Sequence, residues 1–221
     1  MHGLVQATLE ASSKGKQLLP EIKTSKNYKH WVSIEDSKRC INCEQNHGKV
    51  YLISEKPKPK PPVHFFCRCS IELMKSITAG TATINGHDGA DWTLMFKGTL
   101  PEYYVSLQEA LAAKWNYGKW PSNFVPGKMI TMGKYQNKNG HLPSAPNRQW
   151  YEADINYTTG KRNSQRIVWS NDGLIFITYD HYVSFYEIIG GIKNENDNFR
   201  FDRLQNLMGY SRTYQKSLSF S

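Results

Sequence analysis

The chain is poor in cysteine, in long apolar runs and in acid. Its 221 residues hold four cysteines, Cys40, Cys43, Cys67 and Cys69, and none in the C-terminal two-thirds. Disulfides spread through a fold are thereby excluded, and the question becomes local: a metal site or a small disulfide knot. No run approaches the roughly 18–20 consecutive apolar residues that cross a bilayer, and mean hydropathy is −0.61. The first residues, MHGLVQATLEASSKGKQLLPEIK, lack the apolar core of a Sec signal peptide. The expectation is a cytoplasmic protein, or a toxin exported by a route without such a signal, with no membrane partner. Lys and Arg number 28 against 19 Asp and Glu, a net charge of +9. A basic chain of this kind attracts polyanions: RNA, DNA or an acidic protein inhibitor.

What is present falls into unequal parts. Residues 1–35 are rich in Lys and Ser and read as a helical or partly ordered lead-in. Residues 36–76 carry the cysteines and the run KPKPKPP at 56–62, which is expected to be extended and polyproline-like. The small-residue stretch ITAGTAT at 77–83 reads as a linker. Beyond it, DGADWTLMFK has apolar residues at helical spacing, with Asp88 as N-cap and Gly98 as stop. Ser106 and Glu109 have capping-box spacing, so a second helix is expected from Ser106. From Gly133 the pattern turns to strands: Trp150–Thr158, Arg166–Trp169, Leu174–Thr178 and Ser184–Ile189, with Asn171-Asp172-Gly173 as a hairpin turn. Helices followed by an antiparallel meander read as α+β. Residues 190–221 form a polar tail in which Phe201, Leu204, Leu207 and Met208 suit one short amphipathic helix.

The strand at 150–158 puts Glu152, Asp154 and Asn156 on one face and Ala153, Ile155 and Tyr157 on the other. Arg162 and Arg166 follow across the hairpin, and His181 lies in the loop Tyr179-Asp180-His181-Tyr182. Spacing alone fits an ordinary ion-pair ladder on a sheet surface. The same residue types also make up the requirements for cutting RNA without a metal. A base takes the 2′-hydroxyl proton, an acid protonates the departing 5′-oxygen, and fixed cations balance charge on the phosphoryl oxygens. Arginine suits the last task because its donors form a planar fork.

The run RQWYEADINYTTGKRNSQRIVWSNDGLIFITYDHY, Arg148 to Tyr182, strongly resembles the barnase-like family of bacterial guanyl-specific ribonucleases. TINGHDGADWTLMF, TLPEYYVS, VPGK at 125–128 and QNKNGHLP at 136–143 extend the likeness, which covers about residues 82–189. The resemblance implies N-terminal helices packed on a twisted antiparallel sheet; the cysteine spacing adds, ahead of it, the expectation of a small Cys-rich, metal-stabilised module. It implies an endoribonuclease that cuts single-stranded RNA to a 2′,3′-cyclic phosphate, with hydrolysis following, and no cofactor for catalysis. It assigns Glu152 as general base, His181 as general acid, and Arg162 and Arg166 as phosphate-binding arginines. Tyr182 stands beside the acid, Asp154 orients the arginines, and Arg148 and Asp172 form a structural ion pair. Asn137, Lys138 and Asn139 fall in the guanine-binding loop. Two positions depart from the family: Leu107 replaces an active-site lysine, which Lys114 or Lys128 would have to supply, and Asn139 replaces an acidic residue. Members of the family are often held inactive by an acidic barstar-like inhibitor, a partner the positive charge suits.

The Cys segment supplies C-x2-C at Cys40 and Cys43 and C-x-C at Cys67 and Cys69, with His47 and His64 nearby. Four thiolates suit zinc, as a structural ion; two adjacent disulfides or free thiols are the alternatives. HWVSIEDSKRCINCEQNHGKV and PPVHFFCRC resemble a module at the C-terminal end of phage minor-head (head-morphogenesis) proteins. Such a module before a nuclease implies a phage-associated or toxin nuclease with a cognate inhibitor. The alternative is a catalytically weak RNA-binding or interaction module of a phage-head or toxin-delivery protein.

Overall fold

A computed structural model describes residues 20–157 and 159–190. Nine strands, β1 (Ile22–Val32), β2 (Val50–Leu52), β3 (Ser70–Thr78), β4 (Tyr104–Ser106), β5 (Met129–Tyr135), β6 (Trp150–Asp154), β7 (Arg166–Ser170), β8 (Ile175–Thr178) and β9 (Tyr186–Ile189), form one sheet. Their order is β2-β1-β3-β9-β8-β7-β6-β5-β4. Only β3–β9 and β4–β5 pair in parallel, and all other neighbours are antiparallel. Three short helices, α1 (Ile41–Asn46), α2 (Ala90–Lys97) and α3 (Leu107–Ala112), complete an α+β fold.

The expected lead-in is corrected from residue 22 onward. Ile22–Val32 is a strand, not a helix, and its buried side chains are Ser25, Tyr28 and Trp31. The stretch read as a linker is corrected too. β3 runs through Ile77 and Thr78 and pairs with β9, Ile77 opposite Ile188. The Cys-rich module and the C-terminal half therefore share one sheet. Tertiary pairing with β9 overrides the small-residue composition, because an unpaired β9 edge would leave ladder groups exposed. The KPKPKPP run bends at 58–59 and 61 instead of running straight. The expected helix in the tail lies outside the described residues.

α2 starts one residue later than its sequence suggests. Gly89, not Asp88, is the N-cap, because a 3₁₀ turn occupies Gly86–Asp88. A side chain at Gly89 would sit 1.9 Å from the Thr83 hydroxyl, so only glycine fits. Gly98 ends the helix in the left-handed region, at φ +74°, as expected. The capping box of α3 forms: Ser106 accepts from the Glu109 amide and the Glu109 carboxylate from the Ser106 amide.

The two faces of the sheet bury different material. One face joins Ile77, Ala153, Ile155, Ile167, Ile177 and Ile188 to Ala90 and Leu94 of α2. The other packs Trp150, Val168, Phe176 and Phe185 under Tyr28, Val50 and Met74 of the N-terminal strands. Alternation along β6 places Glu152 and Asp154 on the second face, beyond Trp150. Polar side chains thus continue a face whose apolar end the Cys-rich module covers.

Candidate active site

Asp154 organises this polar end. It is fully buried, and Arg166 stands directly opposite it on β7. Its carboxylate accepts from Arg162 Nε at 2.6 Å and Nη2 at 2.7 Å, and from Arg166 Nε at 3.0 Å. This is not the surface ladder that spacing alone allowed. Arg162 and Arg166 side chains are 17% and 6% exposed, so both charges are largely removed from water. Burial pulls the Arg162 guanidinium down, but the bonds and charge of Asp154 outweigh it and hold it above its ordinary value. Arg166 Nη1 also donates to the Asn163 and Gln165 carbonyls, both at 2.7 Å. Trp115, itself buried, lies under Arg162 with the guanidinium carbon 5.9 Å from its ring centre.

Glu152 stands two residues away on the same strand, half-buried, and its Oε2 accepts a hydrogen bond from the Tyr182 hydroxyl. Burial, and then Glu152, push the Tyr182 phenol up, so it stays a donor; Arg166 acts in the opposite sense. Tyr182 stacks on Tyr135 at 5.1 Å, and Tyr135 is pushed up to about 12 by burial and the Glu152 charge. Across the ladder from Glu152 is Gly133, at a bulge and at φ +79°.

His181 is exposed, adjacent to Tyr182, with ring centres 4.9 Å apart. Both residues are left-handed, at φ 61° and 71°. For non-glycine residues this costs roughly 1–2 kcal/mol each. Asp180 offsets the cost: it accepts from the amides of Val183 and Ser184 at 3.1 and 2.9 Å and from the hydroxyls of Thr178 and Ser184. The His181 amide donates to the Ser164 carbonyl at 3.1 Å. A tight, internally bonded turn thus presents the imidazole at the surface.

The loop with Asn137, Lys138 and Asn139 leaves the end of β5. Asn137 spends its side chain on the loop itself, donating to the Leu142 carbonyl at 2.8 Å and accepting from the Leu142 amide at 3.0 Å. Lys138 and Asn139 are exposed. Leu107 packs against Ala110, Trp115 and Ile130. Lys128 donates to the Glu102 carbonyl at 3.0 Å, and Lys114 is exposed in a left-handed turn. The structural ion pair forms, Arg148 to Asp172 at 2.7 Å.

Sequence reasoning passed over Asp180, Asn163, Trp115 and Tyr135. Asp180 precedes the candidate acid, and an Asx-type turn was its available signal. Asn163 follows Arg162 directly and accepts from Arg166 three residues on, whereas Trp115 and Tyr135 meet Arg162 and Tyr182 only in the folded chain.

In the Cys-rich segment, Cys40, Cys43 and His64 form one group of donor atoms, and Cys43, Cys67 and Cys69 another, each within 4.8 Å. All four cysteines are free thiols. His47 is directed elsewhere: Nδ1 accepts from the Ser33 amide at 3.0 Å and Nε2 meets Glu35 at 3.0 Å. Among the described residues no helix is long and apolar enough to cross a membrane.

Comparison with known proteins gives two family matches. A ribonuclease family model matches residues 93–189, and the model for Phage Mu protein F like proteins matches residues 5–72. A ribonuclease of Bacillus pumilus is 42% identical over 121 residues, 54% of this chain and 74% of that protein. One from Heyndrickxia coagulans is 44% identical over 109 residues, 48% of this chain and 99% of its own length. A third, from Bacillus intermedius, is 44% identical over 109 residues, 48% of this chain and 67% of its length. On these matches the chain belongs to the ribonuclease family, over a stretch that contains Glu152, the paired arginines and the His181 turn, with an N-terminal segment similar to Phage Mu protein F like proteins.

Proposed function

We infer that the chain is an endoribonuclease of the barnase type, cutting single-stranded RNA by transphosphorylation without a metal. The observation that carries this is the pair of arginines locked by buried Asp154 on the same face and strand as Glu152. Glu152 takes the proton of the 2′-hydroxyl, and the 2′-oxygen attacks phosphorus. The bond from phosphorus to the 5′-oxygen breaks, and His181 delivers a proton to that oxygen. The products are a 2′,3′-cyclic phosphate and a 5′-hydroxyl. In the slower second step the roles reverse: His181 takes a proton from water and Glu152 returns one to the 2′-oxygen. Arg162 and Arg166 keep unused donors for the phosphoryl oxygens, since Asp154 occupies only part of each fork. Tyr182 orients Glu152 and offers a ring to the base, and Lys138 and Asn139 are the exposed groups of the base-reading loop.

The Phage Mu protein F likeness and the positive charge support a phage-associated or toxin nuclease restrained by an acidic inhibitor. A second reading, a weakly catalytic RNA-binding module, is favoured by one feature. Leu107 fills an apolar cluster where the family resemblance places a cation. Sequencing the ends of RNA cut in EDTA by wild type, Glu152→Ala and His181→Ala decides between them. Cyclic-phosphate ends from wild type and none from the variants are expected. RNA bound but uncut by wild type selects the second reading, and undiminished cleavage by both variants removes the first.

A further inference from the structure

The part of the molecule that RNA chemistry does not use is the segment from Ile34 to Ser70. Its only buried side chains among apolar residues and cysteines are Cys43 and Val50, and no residue from Tyr51 to Ser70 is buried. α1 has six residues and no side-chain N-cap bond. Helices this short do not hold themselves in water. A segment so poor in apolar burial needs another source of order, and small domains of this kind commonly use a metal or disulfides.

The donors for a metal are already gathered. His64 Nε2 lies 3.2 Å from the sulfurs of both Cys40 and Cys43, and Cys43 Sγ lies 3.8 Å from Cys67 Sγ. Tetrahedral zinc with bonds near 2.3 Å to sulfur and about 2.0 Å to nitrogen separates its ligands by about 3.5–3.8 Å. The Cys40–His64, Cys43–His64 and Cys43–Cys67 spacings lie within a few tenths of an ångström of these values, and Cys67, outside the Cys40–Cys43–His64 group, must close on it to complete the tetrahedron. The other imidazole nitrogen, Nδ1, faces the Phe65 carbonyl at 2.7 Å. A backbone carbonyl there fixes the tautomer that leaves Nε2 free for a metal. Cys67 and Cys69 both group with Cys43, and neither joins the group of Cys40, Cys43 and His64; the 3.8 Å from Cys43 Sγ to Cys67 Sγ, a tetrahedral ligand spacing, selects Cys67 as the fourth donor.

What the ion would hold is next to the nuclease site. α1, carrying Cys43, runs directly into Gly48, whose amide donates to the Trp31 carbonyl at 3.0 Å. Gly48 is left-handed at φ +80°, and a side chain there would come 2.5 Å from the Val183 carbonyl oxygen. Two residues on, the Val50 amide donates to the His141 carbonyl at 2.6 Å. The His141 ring in turn bonds the Tyr182 carbonyl at 3.0 Å through Nδ1. One short segment thus touches both the 137–142 loop and the turn that presents His181 and Tyr182.

We propose that Cys40, Cys43, His64 and Cys67 bind one structural zinc ion, and that this ion braces the 137–142 loop and the 180–184 turn by holding residues 47–50 against them. The metal takes no part in RNA cleavage. The inference borrows from the proposed function only the identity of these two loops, and it is read without any cleavage assay.

The test uses the full chain purified under reducing conditions. Metal analysis by mass spectrometry should find one zinc per chain. Cobalt substitution should give tetrahedral visible bands with sulfur-to-cobalt charge transfer. Cys43→Ser and His64→Ala should lose the ion, whereas Cys69→Ser should keep it. Amide hydrogen exchange at 137–142 and 180–184 should accelerate at least tenfold on zinc removal and in Cys43→Ser. Gly48→Ala should keep the metal and still lose loop protection. A chain purified with its thiols reduced and no zinc bound overturns the site. Metal retained by His64→Ala but lost by Cys69→Ser overturns the ligand set. Unchanged exchange in the zinc-free chain, or in Gly48→Ala, overturns the brace.

Discussion

Asp154→Asn is the sharpest perturbation of this molecule. The substitution is nearly isosteric but removes a fully buried negative charge shared by two guanidiniums. Asp154 accepts two bonds from Arg162 at 2.6 and 2.7 Å and one from Arg166 at 3.0 Å. Asparagine retains one acceptor oxygen; in the Oδ1 position it keeps the bonds from Arg162 Nη2 and Arg166 Nε and loses the one from Arg162 Nε. Removing one partner of a buried ion pair costs about 3–5 kcal/mol. The surviving bonds place the expected loss near the lower bound, about 3 kcal/mol. For a protein of this size each kcal/mol moves Tm by about 2–4 °C, so Tm should fall by about 6–12 °C. Urea unfolding followed by tryptophan fluorescence measures the loss directly. Asp172→Asn is the internal control. Its carboxylate also pairs with an arginine, Arg148 at 2.7 Å, but is 37% exposed. Solvent screening limits that pair to about 0–1 kcal/mol. Equal losses in the two variants, or a loss below about 1 kcal/mol in Asp154→Asn, would refute the claim that Asp154 is the buried anchor of the site. Asp154 touches no reacting atom and is a positioning residue. Its loss should therefore lower kcat for RNA more than it raises KM, because the arginines remain present but are no longer held.

Three further outcomes are expected. Leu107→Lys should raise kcat/KM for RNA by about 10- to 100-fold by adding a donor beside the phosphate, at a cost of roughly 1–2 kcal/mol in packing against Ala110, Trp115 and Ile130; unchanged kcat/KM would show that position 107 does not reach the phosphate. Asn139→Glu should strengthen guanine preference at the cut site by about tenfold, since a carboxylate accepts from guanine N–H groups more strongly than an amide does, and end-sequencing of a mixed RNA reads it directly. Stability should be greatest above pH 6.5 and fall as the solution becomes more acid. Burial, the largest cause at His30, His47 and His141, lowers each below the ordinary 6.5, so protonation favours the unfolded chain between 6.5 and the lowered folded values. His141→Asn should flatten that slope in urea unfolding measured from pH 8 to pH 5; an unchanged slope would remove His141 from the account.

Much of this molecule was determined by sequence alone. The strand alternation at 150–154, the Ser106 and Glu109 capping box, the Gly98 stop and the Asn171-Asp172-Gly173 turn all rest on local backbone preferences, although the strand expected to reach Thr158 ends at Asp154, before the left-handed Asn156. Each is legible because neighbours in sequence are the neighbours that matter. Glu152, Arg162, Arg166 and His181 were singled out through the resemblance of the run from Arg148 to Tyr182 to the barnase-like family. Other features were decided only by tertiary structure. Spacing fits Glu152, Asp154 and the arginines as a surface ladder; burial of Asp154 to zero exposure makes Asp154 and the arginines a closed cluster, with Glu152 bonded instead to Tyr182. Composition marked 77–83 as a linker, yet β3 continues through Thr78 because β9 has an open edge to fill. The choice between His47 and His64 depended on which imidazole meets the cysteines in space, and Glu35 and Ser33 claim the first. Ranges of a few residues write secondary structure and caps into the chain; which distant groups share a low-dielectric site is settled only when the sheet brings residues 20–78 against residues 137–189.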